Sequence, residues 1–510
     1  MRLSCGRTKI EEVTAERITT MNRDSSIPLH QLKSVPDDVS TSKENYNQVR
    51  NSNVVNDSYG TFYDDYGNYA SSDTGSEEAA WMQNTGNTLF SRDDDGESHT
   101  AGTVKIGSFQ AGWNVTNAIQ GMFIVSLPYT ILHGGFWSIF ALVLVAYVCY
   151  YTGLILVECL YDENGVRRHG SYKAVAEVCW GKRWGGILVF SAQMIELLMT
   201  CILYIVLCGD LMENSFPTIT TDKMGWMLLS AAALLPCAFL RDLRAVSWLS
   251  FWNAVTHVLI NLIVVIYCFT RASQWTWSSL KITVNSRTFP TVLGIIVFSY
   301  TSHIFLPSLE GSMEDRRQFR AMLKWSHFAA ALFKALFALF GFLTFGEFTE
   351  EEVTNNLPSQ QFKAVINVIL VLKALLSYPL PYFTIVQLLE ELLFHGNQGS
   401  RFPSCFWSDT TMKDWALALR ICLVLFTLFM AITTPHFALL MGLVGNITGT
   451  LLSFVWPCVF HLKLKKQKLS KYVVYCDWAI LTFGILFGLI GIYFSSTELY
   501  RAIQVVDEYS

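Results

Sequence analysis

Trp113-Asn-Val-Thr-Asn-Ala-Ile-Gln-Gly121-Met-Phe-Ile-Val-Ser-Leu127-Pro128-Tyr129 decides the fold when it is set beside Gly294-Ile-Ile-Val-Phe298-Ser299-Tyr300-Thr301-Ser302-His303-Ile-Phe-Leu306-Pro307. Each stretch is an apolar helix interrupted near its middle by small and polar residues. Asn117, Gln120 and Gly121 interrupt the first, and Ser299 to Ser302 the second. Each then resumes with Leu-Pro. Breaking a helix in lipid frees backbone N–H and C=O groups, which is tolerable only where they line a cavity. The freed N–H groups of a half-helix attract a carboxylate, and the freed carbonyls a cation. One such helix is explained equally well by close packing and a kink. Two with the same plan, in the first and sixth apolar runs, mark a pair of five-helix inverted repeats.

Working outward, residues 106–157 contain no Asp, Glu, Lys or Arg. A bilayer core of about 30 Å needs about 20 helical residues, so this run holds two spans with His133-Gly134-Gly135 as the turn. Nine further apolar runs follow, at about 185–210, 224–240, 245–270, 289–309, 325–346, 364–393, 415–434, 436–461 and 474–496. The expected fold is an all-α integral membrane protein of about eleven transmembrane helices, with helices one and six broken. Runs this long do not alternate, which excludes a closed β-barrel. Composition agrees: 52% of residues are hydrophobic and 15% charged, against about 25% charged in soluble domains.

Three regions follow from the charge pattern. Residues 1–104 read as a disordered, acidic, cytosolic tail, 105–500 as the membrane domain and 501–510 as a short lumenal tail. Residues 1–100 hold 9 Lys/Arg against 17 Asp/Glu, too polar to offset the entropy of ordering. Tyr46-Asn-Gln-Val and Tyr59-Gly-Thr-Phe fit the Tyr-x-x-apolar form of sorting signals, so adaptor proteins are candidate partners of the tail. If the tail is cytosolic, the loops on its side carry eighteen Lys/Arg and the opposite loops six, as the positive-inside rule requires. An odd number of spans then puts the C-terminus in a lumen.

Several function classes drop out. No GxxxxGK[ST] phosphate loop is present, which argues against an ATP-driven pump. No paired-Asp or His/Ser constellation suggests a membrane-embedded enzyme. The twelve cysteines include no CxxC pair, so a metal site has no support, and nothing calls for an organic cofactor or a nucleic-acid partner. A secondary transporter fits best, with the lipid bilayer as its solvent.

Ionisable groups inside spans cost about 2.5–3.5 kcal/mol or more each, so each needs a reason. Glu196 lies in the third helix, Lys334 in the seventh and Lys373 in the eighth, just before a Ser377-Tyr378-Pro379-Leu-Pro381 break. His257, His303, His327 and His436 also lie at membrane depth. Glu196 either carries a proton or forms a static pair with Lys334 or Lys373. Lys334, Lys373 and His303 are the other proton-coupling candidates, against snorkelling, charge balance or simple packing.

Beyond the two broken helices, Ala111 to Phe123, Ser126 to Gly135, Ile295 to Gly311, Lys373 to Pro381 and Pro435 to Gly442 resemble the amino acid/auxin permease family over essentially all of residues 105–500. Within it, the resemblance is to the members that load GABA and glycine into synaptic vesicles. It implies the five-plus-five inverted-repeat fold of the LeuT/APC type. It also implies proton-driven antiport of small zwitterionic amino acids from the cytosol into a synaptic vesicle, by alternating access. Its substrate site falls on the breaks. Backbone around Asn117, Ala118, Ile119, Gln120 and Gly121 would hold the carboxylate. Phe298, Ser299, Tyr300 and Thr301, with Tyr378, would shape the rest. Two rivals stand beside this reading: a proton-coupled permease of the lysosomal or plasma membrane, and an amino acid-sensing transceptor.

Overall fold

In the computed structural model the described residues are 107–509, apart from Gln120, residues 240–242, Thr276, residues 395–413, residues 434–435 and Lys468; the acidic segment 1–104 lies outside them. Among the described residues the chain is helical, with one isolated bridge between Tyr161 and Arg167. Seven helices are long and apolar enough to cross a bilayer, and four shorter apolar helices complete the expected eleven.

The first span consists of α1 (Ser108–Ile119), a 3-10 turn (Met122–Ser126) and α2 (Leu127–Gly134). The second is α3 (Phe136–Glu158). A short helix, α4 (Tyr172–Trp180), leads into the third span, α5 (Trp184–Ser215). The fourth and fifth are α6 (Lys223–Leu234), extended by a 3-10 turn to Phe239, and α7 (Leu243–Thr270). The sixth is divided into α8 (Phe289–Ser299) and α9 (Leu306–Ser312). The seventh is α10 (Phe319–Phe345), and the eighth is α11 (Gln360–Ser377) continued by α12 (Pro379–Phe394). The ninth is α13 (Asp414–Thr433). The tenth is α14 (Phe437–Val444), two π-helical turns (Gly445–Gly449 and Leu451–Val455) and α15 (Trp456–Leu464). The last, α16 (Lys471–Tyr509), runs past residue 500, where the sequence places the end of the membrane domain.

Local chemistry explains the interruptions. Pro128 and Pro307 stand in the first turn of α2 and α9, where a missing N–H costs nothing and the fixed φ suits a helix start. The repeated Leu-Pro is therefore a restart signal. The eighth span differs from the expected break. Tyr378 keeps helical dihedrals and donates its N–H to the Ala374 carbonyl, so Ser377-Tyr378-Pro379 is a kink between two abutting helices. Pro379 and Pro381 lack the N–H groups of a complete ladder, the usual cause of a helix kink.

Two glycine positions fix the packing around the breaks. Gly135, at φ 60°, turns the chain from α2 into α3, and a Cβ there would strike the Lys281 carbonyl oxygen. The same carbonyl accepts from Phe136 N–H at 3.0 Å. Where the sixth span crosses the tenth, a Cβ on Gly445 would fall on the Gly294 carbonyl oxygen. Small residues let the backbones approach this closely, which is how helices associate in lipid. The widened π turns of the tenth span begin at that crossing.

Candidate functional site

The two breaks converge. Phe123, in the 3-10 turn after the first break, lies edge-on to Phe298 at the end of α8, with ring centroids 5.1 Å apart. Phe123 also stacks on Tyr204 of α5 at 5.5 Å and lies 6.0 Å from Phe437 at the start of α14. Four elements thus meet on one aromatic cluster: the first, third, sixth and tenth spans.

At the first break α1 ends with buried Ile119, and Gly121 takes an extended ψ of 177° before the 3-10 turn. Asn117 and Ala118 lie in the last turn of α1, but their side chains, and all of Gln120, fall outside the described residues. Ser126, fully buried just ahead of α2, caps nothing with its side chain, and its hydroxyl has no hydrogen-bond partner among the described residues. A buried, unpaired hydroxyl at a half-helix N-terminus is a ready donor or acceptor for a ligand carboxylate or amine.

The second break is filled by side chains. Lys334 of α10 donates from Nζ to the Ser299 carbonyl, which the end of α8 leaves free, and its ammonium lies 3.9 Å from the centroid of the Tyr300 ring. Tyr300 is fully buried and its hydroxyl is unpaired. Thr301 Oγ1 donates to the Phe298 carbonyl at 2.8 Å, and Ser299 Oγ to the Ile296 carbonyl at 2.8 Å. His303 Nε2 meets Thr152 Oγ1 of α3 at 3.0 Å, leaving Nδ1 without a partner. Glu196, buried in α5, faces the Thr301 hydroxyl from the sixth span and the Thr448 hydroxyl from the first π turn. A carboxyl group, a lysine amine and two hydroxyls therefore surround this break, at the level where the tenth span is widened.

The two intramembrane lysines have different settings. Lys373 lies 2.5 Å from His257 Nδ1 of α7 and makes no contact with Glu196; Lys334 likewise engages the broken helix. Glu196 is thus not the partner of either lysine, and the static pair that the sequence left open does not form. Tyr378 points toward the ninth span, with its hydroxyl 2.9 Å from Thr427 Oγ1 and its ring stacked on Tyr382.

Sequence reasoning did not single out Phe123, Tyr204 and Phe437. Aromatic residues recur throughout the spans, so only the fold distinguishes these three. It also passed over Asp477 of α16, fully buried, which accepts from Tyr151 at 2.5 Å and pairs with His461 Nδ1 at 2.7 Å.

A connecting segment packs against the 3-10 turn that follows the first break. Val353 and Thr354 are fully buried and Asn355 nearly so, although all three belong to the connection between α10 and α11. Glu352, also buried there, accepts from Asn355 Nδ2 at 3.2 Å, and its other oxygen is unpaired. Burial first, then the charges of Asp210 and Glu351, hold its carboxyl well above the usual range.

Residues 104–497 match the family described as "Transmembrane amino acid transporter protein". A protein of Caenorhabditis elegans named "Vesicular GABA transporter" is 53% identical over 414 residues, covering 81% of this chain and 84% of that one. The human "Vesicular inhibitory amino acid transporter" is 49% identical over 407 residues, covering 78% of this chain and 77% of that one. A solved Na+-coupled sialic acid symporter in its substrate-bound outward-open state shares 12% identity at a TM-score of 0.46, covering 84% of this chain and 96% of that chain. With the family match covering residues 104–497, and a relative more than half identical across four-fifths of its length, this chain belongs to the transmembrane amino acid transporter family and is a transporter rather than an enzyme.

Proposed function

We propose that this protein loads GABA and glycine from the cytosol into synaptic vesicles by alternating access, exchanging them for protons that leave the acidic lumen. The observation that carries the reading is the meeting of both broken helices on one aromatic cluster, with Glu196 and Lys334 buried at the second break. The names borne by the C. elegans and human relatives support the choice of substrates and of a vesicle membrane. The pattern of the first and sixth spans supports a five-plus-five inverted repeat.

The division of labour follows from what each break leaves free. At the first, the backbone of 117–121, the N–H groups entering the 3-10 turn and the Ser126 hydroxyl receive the substrate carboxylate. Phe123, Phe298 and Tyr204 shape the methylene chain. At the second, backbone carbonyls beyond Ser299 receive the amine, while Lys334 holds the Ser299 carbonyl. Glu196 takes up a proton from the lumenal side and releases it to the cytosolic side, so the return of the empty carrier depends on the gradient. Lys334, Lys373 and His303 are the other candidate carriers. Of these, only Lys334 and His303 touch the second break or its flank. The tail faces the cytosol, where sorting adaptors read it, and the C-terminus faces the lumen.

The driving force is sufficient. A proton descending one pH unit releases about 1.36 kcal/mol, and a charge crossing about 100 mV releases about 2.3 kcal/mol. One proton exchanged for one neutral zwitterion supports accumulation on the order of a hundredfold. The test is uptake of labelled GABA and glycine by proteoliposomes with an acidified, positive interior. Uptake that rises with the gradient and collapses with an ionophore supports the reading. A folded preparation that accumulates neither contradicts it.

A further inference from the structure

A cavity of about 550 Å³ opens where α3 and α15 end and α10 and α16 begin, and it shares no lining residue with either break. These helix ends lie on one membrane face, the face with the excess of basic loops. Arg316, Arg317 and Arg320 line it from the start of α10. Two carboxylates also line it, and one is already neutralised. Glu310, buried, is held by Arg167 Nε at 3.2 Å, by Arg316 Nε at 3.6 Å and by the Tyr161 hydroxyl. The guanidinium groups of Arg317 and Arg320 make no hydrogen bond or ion pair with any described residue, and the remaining carboxylate, Glu158, is largely exposed.

A second observation points into the same space. His461, buried at the end of α15, lines the cavity; its Nε2 makes no hydrogen bond with a described residue and lies 3.9 Å from the exposed Glu158 carboxylate. Its Nδ1 is fixed by Asp477 at 2.7 Å, so the ring turns Nε2 away from that carboxylate and toward the cavity mouth where Glu158 lies. Ser470 and Val473, which open α16, form another wall and add the partial positive charge of a helix N-terminus. The lining is thus short of anions in every direction except Glu158.

Size and depth select among anions. The cavity has room for a polyatomic anion. Trp325 on α10 and Tyr472 and Tyr475 on α16 are exposed at the same ends, as the aromatic belt of a membrane interface is. A basic pocket between spans at that depth suits a phosphorylated headgroup, and arginine pairs with phosphate in a bidentate fork.

We propose that this cavity binds the phosphorylated headgroup of an anionic membrane lipid, with Arg317 and Arg320 on the phosphates and His461 Nε2 and Ser470 as further contacts. The proposal does not depend on which amino acid is transported. A bound headgroup would bridge the second, seventh, tenth and last spans, two of which carry the Lys334 and Thr448 contacts of the second break.

The full-length protein in phosphatidylcholine nanodiscs, with or without a bisphosphorylated phosphoinositide, provides the test. Native mass spectrometry reads lipid retention, and thermal unfolding reads protection. Wild type should retain the phosphoinositide about tenfold over phosphatidylcholine, a difference of about 1.4 kcal/mol. Arg317→Gln with Arg320→Gln should abolish the preference, and the paired Lys substitutions should restore most of it in a folded protein. Arg168→Gln with Lys173→Gln, on the same face outside the cavity, should leave it unchanged. Full retention in the paired Gln variant, or equal loss in both pairs, overturns the site. Equal protection by a soluble inositol polyphosphate in plain phosphatidylcholine overturns the lipid source.

Discussion

The two breaks are built on one plan but finished differently. The first contains no described charged side chain. Among the described residues its polar resources are backbone and the unpaired hydroxyl of Ser126. The second is packed with ionisable side chains: Lys334 on the Ser299 carbonyl, Glu196 against Thr301 and Thr448, and His303 on Thr152. An open, neutral break suits recognition of a zwitterion that arrives and leaves. A break whose freed carbonyl is permanently occupied by a lysine suits the transmission of a protonation event to the backbone. The difference teaches that a half-helix end in lipid must be satisfied either by a visiting ligand or by a resident side chain; the second break uses a resident lysine, and the proposed function assigns the first to a visiting substrate.

Removing the resident cation should have the largest effect. Lys334→Ala strands the Ser299 carbonyl and leaves a void beneath Tyr300, which should cost about 3 kcal/mol of stability together with gradient-driven uptake. Lys334→Met fills the void without the donor and should recover part of the thermal stability but not the uptake. Wild-type accumulation by Lys334→Ala would erase the distinction between the breaks.

At the first break the expected change is in binding, not in stability. Ser126→Ala removes a hydroxyl that has no protein partner, so unfolding should shift little. If that hydroxyl meets the substrate, the apparent KM should rise about tenfold, the equivalent of about 1.4 kcal/mol. Concentration-dependent uptake at saturating gradient separates the two quantities. An unchanged KM would return the carboxylate to the backbone alone.

The connection beside the first break should respond to pH. The Glu352 carboxyl is held above its ordinary value by burial and by the Asp210 and Glu351 charges, with Lys223 opposing. A raised value in the seated loop means that the seated form binds the proton more tightly than the open form. Seating is therefore favoured at pH below the ordinary carboxylate value of about 4.3 and is lost as pH rises through the raised one. Amide hydrogen exchange across residues 349–357, corrected for its intrinsic pH dependence, should show protection falling several-fold on the alkaline side. Glu352→Gln should flatten that dependence. Protection independent of pH in the wild type would contradict it.

The smallest effect is expected away from both breaks. Lys373 pairs with His257 in the eighth and seventh spans. Lysine and histidine are both bases, so this contact is a hydrogen bond and not an ion pair, and His257 keeps Asn261 as a neighbour when an apolar side chain of similar length replaces the lysine. Lys373→Met should therefore keep both stability and gradient dependence. If it abolishes coupling while Lys334→Met does not, the coupling lysine has been placed on the wrong helix.

Sequence alone reveals those features that depend on neighbours along the chain. The uncharged run 106–157, the His133-Gly134-Gly135 turn and the two Leu-Pro restarts are local, and each falls where the helices turn or resume. The spacing of apolar runs likewise yields the eleven spans. Partnerships across the fold are another matter. Lys334 reaches a carbonyl 35 residues away, Lys373 a histidine 116 away, and Tyr151 an aspartate 326 away. Nothing in the order of residues distinguishes Lys334 from Lys373, or a static role for Glu196 from a mobile one. The kink at Tyr378 shows the limit from the other direction: two prolines signal an interruption, but packing decides whether the helix parts or merely bends. Asp477 sits near the start of its apolar run, where an acid reads as a surface residue until Tyr151 and His461 are seen to enclose it.

The most direct test of the central claim compares two transport modes in Glu196→Gln proteoliposomes. The amide keeps the shape that faces Thr301 and Thr448 but cannot cycle a proton. Exchange of labelled for unlabelled GABA across the membrane needs no proton, whereas net accumulation against a gradient does. The account predicts exchange within a few-fold of wild type and accumulation reduced to the level seen with an ionophore. Accumulation equal to wild type would contradict it, and would move the coupling proton away from the second break.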